Sequence, residues 1–85
     1  MWKVTATKQA AKEIAKLPKR IALIYRVLVG DLEREGPRPH GWDSKVLAGR
    51  PEIRIRLNRE YRVLLLEIEP DLIVVKVAHR KEVYE

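Results

Sequence analysis

Ile53-Arg54-Ile55-Arg56-Leu57, Asn58-Arg59-Glu60 and Tyr61-Arg62-Val63-Leu64-Leu65-Leu66-Glu67-Ile68 are the stretch on which the fold turns. The first run alternates apolar and basic residues with period two, the last is almost continuously apolar, and three polar residues separate them. That is the pattern of an antiparallel hairpin in the middle of a sheet. Successive side chains on a strand point to opposite faces, so Ile53, Ile55 and Leu57 line one face and Arg54 and Arg56 the other. The first is a core face. A solvated strand face would account for Arg54 and Arg56 alone. Arg62 on the neighbouring strand adds a third cation, and the expectation is an open, cationic face.

Upstream, Trp2, Val4 and Ala6 alternate with Lys3, Thr5 and Thr7, a short first strand. Thr7 then caps a helix over Lys8 to Leu17, in which Ala10, Ala11, Ile14 and Leu17 recur at helical spacing. Pro18 closes it and opens a second helix over Lys19 to Glu35, with Ile21, Ile24, Tyr25, Leu28 and Leu32 as one stripe and Gly36 as its stop. Gly30 inside this helix costs up to roughly 1 kcal/mol against Ala, so a close approach to the sheet is expected there.

Gly36 to Trp42 is a Pro- and Gly-rich loop, and Lys45-Val46-Leu47-Ala48-Gly49 leads back into the sheet. Glu69-Pro70-Asp71 is a turn, Leu72 to Ala78 the last strand, and the tail from His79 has no period long enough to assign. The layout is α+β: an N-terminal strand, an antiparallel two-helix hairpin, then antiparallel strands in one sheet with the helices on one face.

Residues 1–85 suffice for one domain. With 46% hydrophobic and 35% charged residues the chain is neither disordered nor membranous, and no apolar run approaches the ~20 residues of a spanning helix. Met1 to Thr5 shows no signal-peptide pattern, so no membrane and a cytoplasmic location are expected. The absence of cysteine excludes disulfides and thiolate chemistry, and two distant histidines make no zinc site; no metal or other cofactor is expected. The net charge of +6 favours a polyanionic partner, and five arginines between Arg50 and Arg62 concentrate it.

Arg54, Arg56, Arg62, His79, Arg80 and Tyr84 fall at the expected open face or just after the last strand. Guanidinium forks hold phosphate oxygens, an imidazole moves a proton near neutral pH, and a phenol stacks on a base, a set that suits RNA. Metal-free RNA cleavage needs a base for the 2′-hydroxyl, an acid for the leaving 5′-oxygen and positive charge on the phosphorane. Arg56 and Arg62 fit the charge role. Guanidinium stays protonated and is no base, so His79 is the expected proton carrier. A surface histidine, a packing tyrosine at 84 and loop packing by His40 and Trp42 are the plainer alternatives.

Ala15-Lys16-Leu17-Pro18-Lys19, Lys45 to Gly49, Ile53 to Arg56, Tyr61-Arg62-Val63 and the ending His79-Arg80-Lys81-Glu82-Val83-Tyr84 together resemble the RelE/ParE superfamily of toxins from type II toxin–antitoxin systems. The resemblance implies a microbial-ribonuclease-like fold and, on the RelE branch, cleavage of mRNA in the ribosomal A site. It implies as partners the ribosome and a cognate antitoxin encoded alongside, with operator DNA bound only through that antitoxin. Lys45 and Arg54 would then contact RNA, with Arg56, Arg62, His79, Arg80 and Tyr84 catalytic. Arg56 stands where the RelE branch is thought to use a lysine base. Branches such as YoeB pair a glutamate with a C-terminal histidine and tyrosine, for which Glu52 and Glu60 are candidates by position. A ParE-type gyrase poison and an inactive, operator-binding relative are the alternative functions.

Overall fold

The computed structural model describes residues 1–83; Tyr84 lies outside the described residues. The element order is β1 (Lys3–Ala6), α1 (Lys8–Ala15), α2 (Lys19–Glu35), β2 (Ser44–Val46), β3 (Ile53–Arg56), β4 (Tyr61–Ile68), β5 (Asp71–His79) and α3 (Arg80–Val83). The five strands make one sheet in the order β1-β5-β4-β3-β2. β1 lies parallel to β5 and the other pairs are antiparallel. The sheet therefore has one strand more than the sequence reading counts, because β2 is three residues long and too short to show alternation.

Thr7 caps α1 as expected, its hydroxyl accepting from Ala10 N at 3.1 Å. The helix stops at Ala15 rather than Leu17. Pro18 bars Leu17 from the helical region, so Lys16 and Leu17 instead donate to Glu13 O and Ile14 O in tighter turns. α2 runs as read, and Gly36 ends it with φ +92. A Cβ there would lie 2.8 Å from Trp2 Nε1, so both the backbone and the packing require glycine.

Ala10, Ile21, Tyr25, Leu28 and Leu32 from the helices close over Ile53, Ile55, Leu57, Val63, Leu65, Leu72, Val74 and Val77 from the sheet. Gly30 does not approach that sheet. A Cβ at Gly30 would meet only the Arg34 guanidinium, at 3.5 Å. Beyond α2, Trp42 packs against the core and its Nε1 donates to Asp31 Oδ2 at 2.8 Å, the loop-packing role foreseen for it.

Asn58 sets the β3–β4 hairpin: its Oδ1 accepts from Glu60 N at 2.9 Å and Tyr61 N at 2.8 Å, an Asx turn. On the next hairpin Val63 faces Val77 and Leu64 faces Lys76, but Leu65 faces Val74, so Val75 is an extra residue. This β-bulge reverses the side-chain parity of β5 beyond it.

Three stability outcomes follow, each read from denaturant melts. Gly30→Ala should stabilise by about 0.5–1 kcal/mol, since the helix gains propensity with no clash. Gly36→Ala should destabilise by more than that gain, about 1–3 kcal/mol, because positive φ and the Trp2 ring both oppose a Cβ. Burial raises the Tyr25 phenol above its ordinary value. The unfolded chain therefore loses that proton first, so stability should be level below pH ~10 and fall as pH rises above it.

Candidate functional site

Lys45, Arg54 and Leu64 stand opposite one another on β2, β3 and β4, and Arg56, Arg62 and Ala78 do so on β3, β4 and β5. Four cations thus share the sheet face turned away from α1 and α2. That face is not open. Arg54 and Arg62 are each only 3% exposed. Leu64, Ala78 and Val83 form a second apolar cluster there, with Leu47 and Val75 packed against it. The cover comes from α3, a single helical turn, and from Leu47, neither of which shows a period in sequence. Lys45 remains exposed, and the Arg56 side chain is 50% exposed.

Arg62 Nη1 donates to Asn58 O at 2.8 Å and to Tyr61 O at 3.2 Å. Arg54 Nη2 donates to Asp43 Oδ1 at 3.5 Å, and Arg56 Nε meets Asp43 Oδ2 at 3.2 Å. Asp43 O also accepts from Arg56 N at 3.1 Å. One carboxylate therefore bridges the two arginines of β3. Asp43 was not singled out in the sequence; only the register of the short β2 against β3 brings it to Arg56. Among the described residues Arg54 Nε, Arg54 Nη1 and Arg62 Nε are buried with no hydrogen-bond partner. Each such group costs about 1–3 kcal/mol, so the face carries donors that the described residues do not satisfy. Planar forks of this kind suit phosphate oxygens.

His79 is not brought to these arginines. Uninterrupted alternation would put it on their face, but the bulge at Val75 turns it to the helix side. There its ring meets Tyr61 edge-on at 5.7 Å and lines a pocket with Glu13, Lys16, Leu17 and Glu82. Its Nδ1 accepts from Lys81 N at 3.2 Å, which caps the first turn of α3. Glu13 went unnoticed in sequence as one charge on a helix. Its Oε1 accepts from Val77 N at 2.9 Å, and its Oε2 meets Lys76 Nζ at 3.4 Å, so it holds the bulge to α1.

Comparison with solved structures finds this architecture among toxins of toxin–antitoxin pairs. The RelB–RelE antitoxin–toxin complex of Methanococcus jannaschii contains a chain with TM-score 0.80 and 21% identity, covered over 93% of both chains. The archaeal RelE–RelB complex of Pyrococcus horikoshii gives TM-score 0.79 at 25% identity, over 93% of this chain and 94% of that one. A toxin–antitoxin complex of Mycobacterium tuberculosis gives 0.72 at 26%, over 93% and 98%. The chain has the RelE-like toxin fold. No family model and no curated protein sequence matches it.

On this RelE-like frame Arg80 is exposed at the start of α3, and its N–H donates to Glu60 O at 2.6 Å. Glu52 pairs with Arg50 Nε at 3.1 Å. Neither carboxylate named from position makes an ion pair with Arg54, Arg56 or Arg62 among the described residues. No described helix is long and apolar enough to cross a membrane. Among the described residues no group of three His, Cys, Asp or Glu stands together.

Glu13→Ala should destabilise the RelE-like domain by about 1–3 kcal/mol, because it leaves the Val77 N–H buried and unpaired. Glu13→Gln keeps an acceptor and should recover most of that loss. Denaturant melts of both variants, with amide exchange at Val77, check the pair.

Proposed function

We propose that this RelE-like chain is the toxin of a type II toxin–antitoxin pair and an endoribonuclease that cleaves mRNA in the ribosomal A site without a metal. The observation that carries the reading is the pair of buried guanidiniums, Arg54 and Arg62, of which Arg54 Nε, Arg54 Nη1 and Arg62 Nε have no hydrogen-bond partner among the described residues. In low-dielectric surroundings such donors act strongly on a dianionic phosphorane and need no reorganisation as charge develops. Arg62 and Arg54 hold the non-bridging oxygens of the scissile phosphate. Arg56, half-exposed at the rim, follows the charge that builds during attack, and Lys45 binds the flanking backbone.

The arginines supply charge and move no protons. In this reading Asp43, which bridges Arg54 and Arg56, takes the 2′-hydroxyl proton, and solvent water supplies the proton to the leaving 5′-oxygen. His79 then serves by capping α3 and so fixing Arg80 beside the site, in place of the proton transfer expected of it. Tyr84 keeps the base-stacking role that the family resemblance implies. A cognate antitoxin neutralises the chain and carries it to operator DNA.

The test is primer extension on an mRNA in a cell-free translation reaction, with the same RNA in a parallel reaction without ribosomes. New 5′ ends at one codon phase, seen only with ribosomes, are the expected result. Asp43→Asn and Arg56→Ala alter partly exposed side chains and should fold normally while cutting at least about 100-fold more slowly. Intact mRNA together with growth arrest and a DNA-damage response would overturn the nuclease reading in favour of gyrase poisoning.

A further inference from the structure

Tyr61 opens β4 on the helix side of the sheet, one residue before Arg62, and its ring stands between two hollows. Towards β5 it meets His79 edge-on. Towards the β3–β4 hairpin it walls a hollow of about 230 Å³ with Pro18, Arg20, Ile21, Asn58 and Glu60. Sites for drug-sized ligands run to roughly 300–1,000 Å³, so this one has room for a single planar base.

Two opposite charges line the hollow without pairing. Arg20 comes from α2 and Glu60 from the hairpin, both are exposed, and among the described residues neither is in an ion pair. The Glu60 backbone is fixed on both sides: its N donates to Asn58 Oδ1 at 2.9 Å and its O accepts from Arg80 N at 2.6 Å. A held turn thus presents a carboxylate that the cleavage chemistry does not use.

We propose that the hollow is a guanine site, reading one nucleotide of the RNA whose scissile phosphate lies on Arg54 and Arg62. The inference rests on the nuclease reading and adds to it a base preference. Tyr61 supplies the stacking surface. The two charged groups select the base. An arginine fork donates to O6 and N7 of guanine, and both oxygens of a carboxylate accept, from its N1–H and N2–H groups. Adenine and cytosine offer the carboxylate one amino group and uracil one ring N–H, so each leaves part of the pair unsatisfied. Arg59 marks the path. It is exposed in the turn between the arginine face and the Tyr61 hollow, and among the described residues it is in no ion pair. A backbone passing round the hairpin from Arg62 to Tyr61 places a phosphate on it.

The test titrates the full chain with four non-cleavable 2′-O-methyl hexanucleotides, uridine throughout except for one central guanine, adenine, cytosine or uracil. NMR follows the Tyr61 ring and the Nε–Hε signals of Arg20, Arg54 and Arg62. The proposal expects the guanine strand to bind at least about 10-fold tighter than the other three and to move Tyr61 and Arg20 together with Arg54 and Arg62. Glu60→Ala and Arg20→Ala change exposed side chains, and unchanged thermal melts confirm folding. Both should lose the guanine preference, and Glu60→Ala should keep wild-type affinity for the all-uridine strand. Equal affinity for all four strands, with Arg54 and Arg62 still shifting, would overturn the guanine site and leave the nuclease reading standing. A guanine preference that survives both substitutions would overturn its assignment to this hollow. No binding by any strand would overturn both readings.

Discussion

Two guanidiniums kept out of water are the constraint to which this domain is fitted. Removing a cation from solvent costs several kcal/mol even after relaxation, and the cost is offset only by hydrogen bonds and counter-charge. Arg62 gets two carbonyls, those of Asn58 and Tyr61, because the Asx turn at Asn58 folds the hairpin back to it. Arg54 gets one oxygen of Asp43 at 3.5 Å. Among the described residues both are left with buried N–H groups unpaired. A domain of this size has little stability to spare, so retaining such groups argues for a ligand and not for packing.

The sheet separates two tasks. One face, under α1 and α2, is the apolar core and is fully occupied by packing. The other carries the arginines beneath α3 and Leu47. The bulge at Val75 governs which residues go where, since it keeps Val77 in the main core and sends Ala78 to the arginine side. Glu13 and His79 brace that junction from the helix side. The histidine also holds the turn that carries Arg80, through the hydrogen bond from Lys81 N to its Nδ1.

Much of this was legible in the residues. The alternation at Ile53 to Leu57 fixed the hairpin and the side on which the arginines stand, and the 3.6-residue stripe of α2 fixed its buried face. Thr7, Pro18 and Gly36 marked the helix ends. What escaped notice depends on tertiary facts that leave no local period. Solvent exposure of Arg54 and Arg62 was misjudged because their cover is one turn of helix and a single leucine. His79 was read as the start of a tail after the last strand, whereas it ends β5, and one inserted residue in that strand sets the face it takes. Asp43 and Glu13 act through partners 11 and 64 residues away, beyond any sequence window.

The central claim is that Arg54 and Arg62 bind phosphate, and the most direct measurement is of their own side-chain resonances. Arginine Nε–Hε signals, assigned through Arg→Lys variants, would be followed by NMR as a guanine-free 2′-O-methyl RNA trinucleotide that cannot be cleaved is added. The account predicts saturable shifts at Arg54 and Arg62, with Arg56 following and the α2 arginines Arg20 and Arg26 unmoved. Shifts confined to Arg20, Arg26 and other surface cations, with Arg54 and Arg62 unchanged at saturation, would contradict it.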